Sequence, residues 1–179
     1  MTVVSRDGGR IGMSVRNLLA AELARLRGYS SASPVTVSVT DTSGISIAIE
    51  FTQIDSLACA FRQITVHVPS MNQVAFAQLQ KWAEALSQRI TYLLERLSPL
   101  ECDPQGGQVL IRSTRPDPLP DGTQYYEIIV SSTGTGTFTL QRFRSVKGTP
   151  GRTPIDLQVT HELLYKLCDD LIDTALNTP

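Results

Sequence analysis

VTVSVT at residues 35–40, then ISIAIEF at 45–51 after the DTSG of 41–44, is the stretch that decides the fold class of this chain. Val35, Val37 and Val39 alternate with Thr36, Ser38 and Thr40, and Ile45, Ile47, Ile49 and Phe51 repeat the period. A period of two places every apolar side chain on one side of an extended backbone, so each run predicts a strand with one buried face. The intervening Asp41–Gly44 turn joins them as a hairpin. Downstream, residues 57–68 predict a third strand whose apolar set moves from odd positions (Leu57, Cys59, Phe61) to even ones (Ile64, Val66, Val68). A bulge near Arg62 and Gln63 restores a common face, because one extra residue flips the side chains beyond it.

Upstream of the hairpin the period is helical. Val15, Leu18, Leu19, Leu23 and Leu26 are separated by steps of three and four over residues 14–27, with Ser14 placed to cap the start and Gly28 just past the end. Residues 29–34 read as a loop. After Pro69, Ser70-x-x-Gln73 matches a capping box. Phe76, Leu79, Ala83, Leu86, Ile90, Leu93 and Leu97, widened by Trp82 and Leu94, predict one long helix over 70–98. It would span about 40 Å and carry an apolar edge past the sheet. Strands are expected at 109–111, 125–130 and 137–143. The proline-rich RPDPLPDG of 115–122 reads as an exposed loop, and the TGTGT of 133–137 as a hairpin turn. A last helix follows Thr160, striped by Leu163, Leu164, Leu167, Leu171, Ile172 and Ala175, with Cys168 inside the stripe.

These segments predict an α+β fold: antiparallel sheet, one long helix packed across it, shorter helices at either end, in the order α-βββ-α-βββ-α. Residues 1–12, polar and glycine-bearing, are expected to form a flexible leader, and residues 13–179 a single domain. No repeat of 20–50 residues is present. The 41% hydrophobic content and net charge of −1 suit a globular chain with no overall pull toward nucleic acid or acidic surfaces. The leader has no apolar core of a signal peptide, and no later run is long enough to span a bilayer. Cys59, Cys102 and Cys168 are scattered and odd in number, which reads as reduced thiols in a cytoplasmic protein.

No catalytic residue, metal site or cofactor is predicted. His67 and His161 are the only histidines, and Cys59 and His67, eight apart on one strand, do not form a chelate. No G-x-S-x-G elbow is present, and Cys168 within a helical stripe reads as packing. The TGTGT run joins two strands, whereas phosphate loops feed a helix N-terminus.

Charge marks the candidate interaction surface. Arg142, Arg144, Lys147 and Arg152 lie in a stretch without any acidic residue from 128 to 155, and Phe138 and Phe143 are nearby. Such a patch can contact phosphates and stack bases; the alternative is a sheet edge whose cations block pairing with another chain. Asp169, Asp170 and Asp173 sit toward the C-terminal half of the last helix, where the macrodipole disfavours them; they read either as a simply solvated acidic face or as a surface for a basic partner. The basic and acidic regions are candidates to pair within the fold or across a dimer.

The order of the segments at 14–27, 35–68, 70–98, 109–143 and 160–176 resembles the type III secretion chaperones of the Tir-chaperone class. The resemblance implies a small α/β fold, a homodimer, and binding of an extended segment of a secreted protein along the surface. It carries no motif from which individual residues transfer. The expectation is therefore a non-enzymatic, chaperone-like interaction module with an unknown protein partner, dimerising through the long helix or a sheet edge. The alternatives are an enzyme or small-ligand protein with a site built from scattered polar residues, and nucleic-acid binding through residues 142–152.

Overall fold

The alternation at residues 35–51 becomes two adjacent strands at the heart of one large sheet. In the computed structural model, which describes residues 3–7, 14–93, 95–134 and 136–178, the elements run β1 (Val3–Asp7), α1 (Val15–Arg25), β2 (Tyr29–Thr40), β3 (Ser46–Ile54), β4 (Ala58–His67), α2 (Phe76–Arg89), β5 (Leu97–Asp103), β6 (Gln108–Ser113), β7 (Asp117–Leu119), β8 (Gly122–Ser131), β9 (Thr137–Val146), β10 (Thr153–Ile155), β11 (Leu157–Thr160) and α3 (His161–Asn177). The class is α+β with a large, mainly antiparallel sheet and three helices. Eight strands follow the order β1-β2-β3-β4-β9-β8-β6-β5, with β7, β10 and β11 attached to β8, β9 and β4. Among the described residues only β1 against β2 is parallel.

The hairpin turn is held by Asp41, whose Oδ1 accepts from the backbone N–H of Ser43 at 2.8 Å and of Ile45 at 3.1 Å. Gly44 takes a φ of +86° there. In β4 the partner of Ile49 is Ile64 but that of Phe51 is Phe61, so the extra residue lies at Arg62 and Gln63 as the parity change predicted. The sheet forks at this bulge. Gln63–His67 of β4 pair with β9, whereas Ala58–Phe61 pair with β11 and the far half of β9 pairs with β10. Residues 153–160 fill the fork, and Asp156 between β10 and β11 accepts a hydrogen bond from the Thr52 hydroxyl at 2.7 Å.

All three helices lie on one face: α1 over β2 and β3, α2 over β5, β6 and β8, α3 over β4 and β11. The core is continuous from Leu19 and Leu23 through Val37, Ile49, Ile64, Leu140, Ile128 and Ile111 to Trp82 and Leu86. Each large side chain buried this completely stabilises the fold by about 1.5–3 kcal/mol. Ser14 caps α1, accepting from Asn17 N–H at 3.3 Å, and Thr160 caps α3, accepting from Leu163 N–H at 3.2 Å.

Several expectations are corrected. The helix expected over 70–98 spans only Phe76–Arg89, about 21 Å. Pro69–Met71 is a single 3-10 turn, Gln73 adopts a φ of +55°, and Ala75 precedes the helix without a side-chain cap, so the capping box does not form. Beyond Arg89 the chain leaves the helix and residues 97–103 become β5. Ile90, Leu93 and Leu97 are nonetheless buried; a turn followed by a strand buries them as the helix would have, which is why their spacing misled. Leu94 lies outside the described residues. With the buried face of α2 against the sheet, no apolar edge projects from it. Residues 29–34 belong to β2, across a register shift between Ser30 and Val35. Val3–Asp7, within the expected leader, is a strand, while the rest of residues 1–12 lies outside the description.

The opposite face of the sheet carries no helix among the described residues. Following the register, Ser38, Ala48, Thr65, Thr139, Ile129 and Leu110 stand in one row across six strands. They are half-buried by their neighbours. At about 4.8 Å per strand the row is roughly 24 Å long.

Candidate functional site

The four cations of residues 142–152 have different fates. Arg142 donates through Nη2 to Glu95 Oε1 at 3.2 Å, lies 3.9 Å from Asp117 Oδ2, and stacks 4.7 Å over the ring of Tyr126. Arg144 pairs with Asp121 at 2.6 Å. Arg152 donates to both oxygens of Glu127, the contact to Oε1 being 2.9 Å, and its guanidinium covers the ring of Phe143. The hydrogen bond to Glu127 holds the Arg152 guanidinium above its ordinary pKa. Lys147 alone has no carboxylate partner among the described residues. These basic residues are therefore not one free patch: acids from 95 to 127 neutralise three of them. Asp117 and Asp121 come from the proline-rich loop, which forms the short β7–β8 hairpin.

The acidic side is likewise divided. Asp169 accepts from Arg16 Nη1 of α1 at 2.9 Å, Glu162 accepts from Nη2 of the same guanidinium at 3.2 Å, and Arg16 also lies 5.2 Å over Tyr165. Asp170 pairs with Lys166 at 2.8 Å, one turn away. Asp173 is exposed. The basic partner for Asp169 is thus α1 of the same chain, and the fold does not bring residues 142–152 to residues 169–173.

Glu127 is the centre of a cluster on the uncovered face. Its side chain is only 3% exposed, and beside Arg152 it accepts from Arg112 Nη2 at 2.8 Å. A concavity of about 310 Å³ opens next to it, floored by Leu110 and Ile129 and walled by Arg112 and Arg152 on one side and Glu101 and Asp103 on the other. Nothing in the linear sequence singled out Glu127; the only signal was a charge within the apolar β8 run.

A second concavity, of about 640 Å³, lies at the end of the sheet where the chain enters β5 and leaves β6. It is lined by Glu95, Arg96, Thr114 and Arg115. The Glu95 side chain is 4% exposed, yet its Oε2 has no hydrogen-bond partner, and neither has Nε of the paired Arg142. Leaving one such buried polar atom unsatisfied costs about 1–3 kcal/mol. Thr114 is fixed by its N–H to the Arg96 carbonyl at 2.8 Å. Arg96 and Arg115 are exposed and have no ion-pair partner among the described residues.

The residues considered for chemistry are held apart or shielded. His161 Nε2 lies 3.1 Å from the Ala58 carbonyl oxygen, and the backbone N–H of His161 donates to the Leu57 carbonyl at 2.9 Å. His67 sits on the uncovered face opposite Ser46 and Thr137. Burial pushes the Cys59 thiol up to about 12 and raises that of Cys168 as well. Only Cys102 is exposed. Among the described residues, no three His, Cys, Asp or Glu side chains gather as a metal site, and no helix is long and apolar enough to cross a membrane. Compared with known proteins, this chain matches no family model, no curated protein and no solved structure.

Proposed function

We propose that this protein is a non-enzymatic interaction module, chaperone-like in holding an extended segment of a partner protein across the uncovered face of its sheet. The observation that carries the reading is the 310 Å³ concavity at one end of that face, with its apolar floor of Leu110 and Ile129 between charged walls. Arg112 and Arg152 share Glu127, whereas Glu101 on the other wall has no cation beside it among the described residues. The fitting occupant is a segment with an apolar residue in the floor and a basic residue next to it, meeting Glu101. The whole row from Leu110 back to Ser38 is long enough for about seven extended residues. A second copy suits the face less well: its rows are mostly hydroxyl and amide side chains, and the cores of homodimer interfaces are more apolar.

The test is selection of a random peptide library on the full chain, repeated with Ile129→Lys. Enriched peptides sharing an apolar–basic pair, and losing affinity at least tenfold for the variant, support the reading. Peptides without that pair, or indifferent to the substitution, overturn it. Light scattering on a sizing column provides the other arm. A mass of twice 19.6 kDa that returns to one chain in Ile129→Lys places a second copy on this face instead.

A further inference from the structure

We propose that the partner segment enters the concavity beside Glu127 with an acidic residue on one side of its apolar anchor and a basic residue on the other, each two positions away. This inference rests on the partner-segment reading and adds to it the acidic contact and the spacing.

The two walls carry opposite charge. Arg112 and Arg152 share the single carboxylate of Glu127, and neither pairs with another acid among the described residues. Arg112 uses Nε and Nη2 on that carboxylate, and Arg152 uses Nη1 and Nη2. A guanidinium offers five N–H donors, so both have donors left over, and both line the concavity. An approaching carboxylate meets two guanidiniums against one buried acid. On the other wall Glu101 and Asp103 are exposed, and neither has a cation beside it among the described residues. Asp103 uses Oδ1 on the backbone N–H groups of Gln105 and Gly106, at 3.1 and 2.9 Å, so Glu101 is the freer of the two. Charges complementary to both walls give a segment its specificity.

Register supplies the spacing. Ile129, Leu110 and Glu101 are successive lateral neighbours on β8, β6 and β5, and Glu127 with Arg112 forms the next row of the same face. Same-side residues of an extended chain stand about 6.6 Å apart, or about one and a third strand widths. A segment following the row with its apolar residue between Ile129 and Leu110 therefore brings the residue two positions further out over Glu101. The residue two positions the other way comes beside Ile129, toward β9. Arg152 stands on that side, reaching Glu127 on β8 and covering Phe143 on β9. A glutamate there is within reach of its guanidinium. Either chain direction satisfies the pattern, because side-chain charge and not the backbone is read.

The experiment is fluorescence anisotropy of the full chain with a labelled, end-capped peptide, Thr-Glu-Ser-Leu-Thr-Lys-Ser. Saturable binding is expected, about two- to fivefold weaker when either charged residue of the peptide becomes glutamine, and weaker still when both carry the same charge. Arg152→Ala should remove most of the glutamate's contribution and leave the lysine's. Glu101→Arg should invert the order, so that the peptide with two glutamates binds better than the parent peptide. Equal affinity across the charge series, with binding still lost in Ile129→Lys, overturns the acid–base pattern and leaves the partner-segment reading standing. An unchanged peptide order in Glu101→Arg overturns the pattern as well. So does the absence of saturable binding by every peptide of the series, in which case the library selection decides separately whether the partner-segment reading falls with it.

Discussion

Replacing Glu127 with Ala tests whether the cluster on the uncovered face is a structural tie. Glu127 is 3% exposed and receives donors from two arginines, whose side chains are 31% and 38% exposed. Removing one partner of a fully buried ion pair costs about 3–5 kcal/mol, because the other charge is stranded away from water. Here both stranded guanidiniums keep a third of their surface in solvent and re-solvate, so the expected cost falls to about 2–3 kcal/mol. In a domain of this size that lowers Tm by roughly 4–12 °C. Arg152→Ala leaves Glu127 still held by Arg112 and should cost only about 1 kcal/mol. The double variant should cost less than the sum of the two by about 1 kcal/mol, the signature of a shared interaction. Urea unfolding by linear extrapolation measures all three. The loop at 147–152 gives an independent reading: once Glu127 is lost, trypsin should cut after Lys147 faster under native conditions. A Glu127→Ala variant within about 0.5 kcal/mol of the parent, or strict additivity with Arg152→Ala, refutes the reasoning.

Gly136 lies in the left-handed region, and a Cβ there would stand 2.6 Å from the Met71 carbonyl carbon and 2.7 Å from Asn72 N. Both contacts are backbone, so Gly136→Ala should destabilise by at least about 2 kcal/mol in the same urea assay, whereas a cost below about 0.5 kcal/mol would contradict the packing. In the native protein an aromatic disulfide reagent at pH 8 should label one thiol, Cys102, and in urea all three. Rapid native labelling of two would overturn the shielding of Cys59 and Cys168. Burial raises Cys59 from 9.0 to about 12, so the folded state favours its protonated form. That stabilisation is fully present below pH 9 and is lost as pH rises toward 12. Cys59→Ala should flatten the alkaline limb of a stability–pH profile, and an unchanged limb would show that the thiol is not shifted.

The parts of the fold legible in the sequence are those where local period and burial agree. The 35–51 hairpin, the bulge at Arg62 and Gln63, the caps Ser14 and Thr160, and the α3 stripe each follow from the spacing of their own residues. The 70–98 segment shows where this fails. Ile90, Leu93 and Leu97 satisfy a helical period yet are buried by a turn and an edge strand, because β5 gains its hydrogen bonds from β6, whose ladder no local pattern reports. β7, β10 and β11 were invisible for the same reason. Three- and four-residue strands carry almost no period, and β10 and β11 exist because the bulged β4 parts from β9 and leaves a gap to fill.

Charge depends on the register in the same way. Counted along the chain, residues 128–155 hold four cations and no acid, which suggests an anion-binding patch. In the sheet the relevant neighbours are lateral: Glu127 on β8 faces Arg112 on β6, and Arg142 on β9 reaches Glu95 before β5 and Asp117 on β7. Three of the four are neutralised by residues 23 to 47 positions away. Positive charge without a partner is instead found at Arg96 and Arg115, which are unremarkable in sequence because each flanks a strand rather than a cluster. They become neighbours only because β5 and β6 pair from Leu97 with Ser113, setting the residue before one strand beside those after the other. A linear excess of charge on antiparallel strands therefore says little about where free positive charge lies; the register decides it, and here it pairs three of the four cations of residues 142–152 with carboxylates.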